Sequence, residues 1–71
     1  MNPSIEYFRE TIGLAEEALN SLRETVMELE DSVLEMEDLH VEVSAAEDTI
    51  RVMLDDIAEF YEIADNYENS F

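Results

Sequence analysis

The residues of this chain best suited to chemistry are its carboxylates and its single histidine. Glu37 and His40 stand three apart, a Glu-x-x-His spacing that puts a carboxylate and an imidazole on one face of a helix. Di-iron carboxylate bundles use two such motifs plus two further glutamates. Here one histidine is available, with Glu47 a heptad further on, so dimer symmetry would have to supply the rest. A histidine in such a place more often fixes register or marks a helix end. Glu37, His40 and Glu47 are the only metal candidates, and the expectation is that no metal or other cofactor is required.

Catalysis has little else to stand on. The chain has no cysteine, no lysine, no glycine-rich phosphate loop and no Ser-His-Asp arrangement. Asp55 and Asp56 are adjacent, but neighbours on a helix point in different directions. An enzyme is not expected.

The acids form a different kind of pattern. Glu10, Glu17, Glu24, Asp31 and Asp38 recur at an unbroken spacing of seven, and Glu28, Glu35 and Glu42 run in a parallel row. Carboxylates in adjacent rows of one helix lie about 5–6 Å apart, and like charges at that spacing cost a few tenths of a kcal/mol per pair. A helix needing only solubility would mix lysine with glutamate and gain those pairs instead. The repeated unfavourable choice points to selection for the surface potential itself. Asp48, Asp55, Glu59 and Glu62 extend the acidic surface in the second half of the chain.

The totals sharpen this. Twenty acids face three arginines, and the net charge is −17. Disordered acidic tails are similarly charged but lack apolar residues, whereas 46% of this chain is hydrophobic and periodically placed. Direct binding to nucleic acid or to an anionic membrane is excluded by charge. MNPSIEYFRE lacks the basic and apolar regions of a signal peptide, and no apolar run reaches membrane-spanning length. The expected location is the cytoplasm, that of the host cell if the chain is viral.

These rows must ride on long helices. Counting heptads from Ile5 gives seam positions Ile5, Phe8, Ile12, Ala15 and Leu19, then Leu22, Val26, Leu29, Val33 and Met36, all apolar. The same count continues through His40, Val43, Glu47 and Ile50 to Leu54, Ile57, Tyr61 and Ala64. Asn2 with Pro3 suits a helix start, while Gly13 and Asn20-Ser21 are points where the first helix could bend. The β-branched Val41 and Val43, with Ser44 and Glu47 spaced as a capping box, predict a break.

The expected fold is therefore all-α, one acidic helical domain over residues 1–71. It is a long helical hairpin: a helix over about residues 3–38, a break at about 39–43, and a second helix over about 44–67. One unbroken helix is the rival. The second helix adds Met53, Phe60 and Tyr67 to its stripe, and the first adds Met27, Leu34 and Val41 at its side. Stripes so wide exceed what a hairpin can bury, so a homodimer packed as a four-helix or coiled-coil-like bundle is expected. Its oligomer seam is Leu19, Leu22, Val26, Leu29, Val33 and Met36 with Ile50, Leu54, Ile57 and Tyr61. The aromatic residues Tyr7, Phe8, Phe60, Tyr61, Tyr67 and Phe71 read mostly as core. Arg9 and Arg23 share one column and are expected to flank the seam, pairing with glutamates across it.

Seventeen net charges on a hairpin of about 50 Å give about one per 3 Å, against about one per 1.7 Å for duplex DNA. The expected function is to bind and block the basic nucleic-acid-binding surface of a partner protein, as nucleic-acid mimics do against restriction systems, CRISPR effectors or nucleases. One alternative is a structural or adaptor coiled-coil subunit acting through its apolar seam. Others are an acidic surface adapted to high salt and a di-metal carboxylate bundle.

Overall fold

A computed structural model describes residues 3–69. It is a hairpin of two helices, α1 (Pro3–Ser32) and α2 (Glu37–Asn69), lying antiparallel along a body 55 × 15 × 10 Å in extent. Pro3 takes the first described helical position, where its missing N–H costs nothing. Asn2, expected as the cap, lies outside the described residues, as does Phe71. Through Gly13 and Asn20-Ser21 α1 runs on without interruption.

The break falls at residues 33–36, earlier than the expected 39–43. Val41, Val43 and Ser44 are all inside α2, and Ser44-x-x-Glu47 caps nothing. Three features make the earlier site work. The Ser32 hydroxyl donates to the Leu29 carbonyl at 2.7 Å, occupying an acceptor that the helix end leaves open. The Val33 N–H donates to the Glu30 carbonyl at 3.2 Å, and the Met36 N–H to the Val33 carbonyl at 2.9 Å, closing a tight turn. Finally, Met36 accepts the His40 N–H at 2.8 Å while Glu37 and Asp38 fill the first turn of α2, where the helix dipole favours negative charge. Among the described residues no backbone takes a positive φ, so the turn requires no glycine. Turning here gives arms of 30 and 33 residues, which pair along nearly their whole length. A turn at 39–43 would have left part of α1 unopposed.

The junction between the helices is narrow. Buried among the described residues are Ile12 on α1 and Ile50, Ile57 and Ala64 on α2. Around them Ile5, Leu19, Val26 and Val33 meet Val43, Leu54 and Tyr61, all half-buried. On α2 both expected columns face α1. On α1 only one does. Phe8, Ala15, Leu22 and Leu29 are exposed, and their place at the junction is taken by Arg9, Glu16, Arg23 and Glu30, which are half-buried at a spacing of seven. Met36 lies at the turn itself, also exposed.

Candidate partner-binding surfaces

Two long edges flank the junction, and they differ in chemistry. On one, α1 presents the column Arg9, Glu16, Arg23 and Glu30. Arg9 pairs with Asp65 and, at 3.3 Å, with Glu68, tying the two ends of the hairpin together. These carboxylates hold the Arg9 guanidinium more firmly protonated than usual, the hydrogen bond to Asp65 contributing most. Arg23 lies 3.9 Å from Glu47, which also takes Arg51 at 3.3 Å; Arg51 reaches Asp48 at 3.9 Å. The expectation that Arg9 and Arg23 reach acids across the seam is met by these pairs.

Glu30 is the uncomfortable member of this edge. Its Oε1 is buried with no hydrogen-bond partner, and the Glu47 carboxylate lies beside it. Two ionised carboxylates offer only acceptors to each other, so a shared proton is what would satisfy both. The Glu30 carboxyl is accordingly pushed above the usual range by hydrogen bonding to Glu47, then by burial and by the charge of Glu47. The charge on His40 and the Ser44 hydroxyl oppose the shift.

Among the described residues the other edge carries no ion pairs on α1. Positions Ser4, Phe8, Thr11, Ala15, Ala18, Leu22, Thr25 and Leu29 step by fours and threes, all exposed and none charged. Beside them on α2 run Leu39, Ala46, Thr49, Met53, Phe60, Ile63 and Tyr67, again exposed, with Glu42 and Asp56 the acids of that row. Phe8 and Phe60 meet across the junction with ring centroids 6.2 Å apart and tilted planes, a favourable aromatic geometry. Next to them an open groove of about 280 Å³ is lined by Ile12, Ala15, Leu19, Met53, Ile57 and Phe60, together with Asp56. The aromatic residues are therefore mostly not core: among the described ones Tyr61 alone is half-buried, and Tyr7 is 73% exposed. A hairpin of two helices has too few neighbours to enclose them.

The acidic residues occupy the remaining surface. Glu10, Glu17, Glu24, Glu28 and Asp31 lie exposed on α1, and Asp48, Asp55, Glu59 and Glu62 on α2. The turn divides the predicted rail: Glu35 falls within it, and Asp38 and Glu42 belong to α2, so Glu24 to Glu42 is not one helical face. Apart from Asp48, no residue of the rail joins an ion pair among the described residues.

The metal candidates do not converge. Glu37 is exposed at the start of α2, His40 is half-buried, and Glu47 is engaged by Arg23 and Arg51. Among the described residues no group of three or more His, Asp or Glu side chains is placed to hold an ion. Nor is any described helix long and apolar enough to cross a membrane.

The feature that sequence reasoning missed is the uncharged edge of α1. Its signal was available: a run of uncharged positions at helical spacing in a chain that is 32% charged. It is masked because Phe8, Leu22 and Leu29 count as heptad seam positions, with Leu22 and Leu29 in the expected oligomer seam, so they do not stand out as a separate edge. The two expected wide stripes do exist, but each splits into a half that meets the sister helix and a half that does not. Comparison with protein-family models, curated proteins and solved structures finds no match to this chain, so only its own residues bear on what it does.

Proposed function

We propose that this chain is a non-enzymatic acidic binder that occupies the basic nucleic-acid-binding surface of a partner protein. One observation carries the reading. The arginines are drawn into ion pairs along one edge of the hairpin, leaving exposed carboxylates on both helices with almost no cation among them. Over a body 55 Å long the net charge amounts to about one per 3 Å, on the same order as a duplex backbone. Held on two helices, the carboxylates keep fixed spacings, so they can fill phosphate subsites lined with lysine and arginine. The charge also accelerates encounter with a basic surface.

The test is competition. The chain should displace duplex DNA from a basic DNA-binding enzyme, and its affinity should fall steeply as salt rises. Replacing Glu17, Glu24, Asp31, Asp55 and Glu62 together by Gln or Asn should weaken binding at least about tenfold. Retained affinity in that variant, or binding that ignores salt, rejects the proposal. The exposed Leu22 and Leu29, each 50% accessible, favour a second reading: an adaptor that grips a partner chain through its apolar edge. In that case Leu29→Asp abolishes binding and the acid-to-amide variant does not.

A further inference from the structure

We propose that the uncharged edge is a self-association surface, on which a second copy of this chain packs to make an antiparallel four-helix bundle with its acids facing outward. The proposal does not depend on what the acids bind.

Surface area gives the first argument. The hairpin exposes 5474 Å². A compact monomer of 8.2 kDa exposes about 4,500 Å², so this one carries an excess of about 900 Å². A standard interface covers about 800 Å² on each partner. Four buried side chains are also a meagre core against the entropy of ordering two long helices. The cover must be available whenever the chain is made, and another copy always is.

Charge gives the second. With a net charge of −17, two copies repel at almost every approach. The row from Phe8 to Leu29 on α1 is the exception, so the copies come closest there, with Glu42 and Asp56 on the α2 half of the face. In this arrangement the carboxylates on the backs of both hairpins point away from each other.

The third argument is that the threonines of this face are ready for burial. Thr11, Thr25 and Thr49 all lie on it. Each hydroxyl donates to the carbonyl one turn back: Thr11 to Tyr7 at 2.8 Å, Thr25 to Ser21 at 3.2 Å, Thr49 to Ala45 at 3.0 Å. None of these three hydroxyl donors is left wanting water, and the methyl groups add to the apolar surface. Ala15 and Ala18 lie together between Phe8 and Leu22, giving a small-residue stretch into which large side chains of the other copy can seat, next to the groove at Met53 and Phe60.

The experiment uses the whole chain, which has no cysteine of its own. Its mass in solution should be about 16 kDa, twice the 8.2 kDa of one copy, and the dimer should tighten as salt rises. That salt response is opposite to the one expected for binding a basic partner, so the two proposals fail separately. A cysteine at Ala18, on the face, should react with a thiol reagent at least about tenfold more slowly than one at Glu17, on the back. Dilution below the dissociation constant should erase the difference. Because Ala18→Cys leaves the large side chains intact, this reading does not rely on a variant that fails to fold. A helical monomer at about 100 µM overturns the proposal. So does equal reactivity at the two positions, or a chain that stays unfolded until a different protein is added.

Discussion

The two edges of the hairpin flank the same pair of helices and are finished in opposite ways. Along one, Arg9 and Arg23 reach Asp65, Glu68 and Glu47, and charges of opposite sign close the gap between α1 and α2. Along the other, Phe8 and Phe60 touch while Leu22, Leu29 and Met53 remain open to solvent. The arginines of the paired edge find their acids within one chain. The apolar edge has the composition of a core and the accessibility of a surface. Two of the three arginines of this acidic protein hold the hairpin shut and the third pairs within α2, which leaves apolar contact as the means of extending the assembly.

Substitutions can break or sharpen this contrast. The largest effect belongs between the edges: Ile57, 4% exposed, is shared by both, and Ile57→Ala should cost about 2–5 kcal/mol in chemical denaturation. Next comes Leu29→Ala. If the apolar edge is covered by a second copy, the loss should be about 2 kcal/mol and the melting temperature should depend on protein concentration. A bare edge predicts a change within about 0.5 kcal/mol. Gly13→Ala should raise stability by about 0.5–1 kcal/mol, because α1 is helical there and the new methyl would lie at ordinary contact, 3.4 Å from the Tyr61 hydroxyl. An unchanged or lowered melting temperature would mean that Tyr61 has no room to accept it.

The smallest effect tests the paired edge by pH. The Glu30 carboxyl is raised in the folded chain, so the native state binds its proton more tightly than the unfolded one. The stability it contributes is present below the ordinary carboxylate range and is lost as pH rises through the folded value. Glu30→Gln mimics the protonated form. It should melt higher than the parent at neutral pH, and the gap should close on acidification through the carboxylate range. A gap that is constant with pH would show that Glu30 and Glu47 do not share the strain.

How much of this was legible in the sequence follows from particular residues. On α2 every position of the heptad count from His40 to Ala64 is half-buried or buried, polar Glu47 included, and it leaves out only the half-buried Ser44. The count on α1 finds Ile5, Ile12, Leu19 and Val26, with Val33 at the start of the turn, and assigns the wrong companion column. Periodicity says which residues share a stripe, but a stripe wider than one contact does not say which half meets the sister helix. Arg9, Glu16, Arg23 and Glu30 look like a solvated row because charge is normally outside; they reach the junction because acids across it can pair with the arginines. The turn was misplaced because Val33 to Met36 contains neither glycine nor proline, while Val41, Val43 and Ser44 carry stronger local signals. The acids of the expected rail are all exposed. Their continuity along one face could not be known before the turn was located.

The antiparallel arrangement has an electrical consequence. Each helix carries a macrodipole equivalent to about half a charge at either end, positive at its start and negative at its finish. In the hairpin the end of α1 at Ser32 lies next to the start of α2 at Glu37, and the start of α1 lies beside the last turns of α2, where Arg9 meets Glu68. The two dipoles therefore cancel at both poles. What a distant ion or protein senses is almost purely the ionised side chains, a monopole rather than an oriented field. Such a molecule attracts cations from every direction with little preference for one end, and acidification through the carboxylate range would extinguish the attraction.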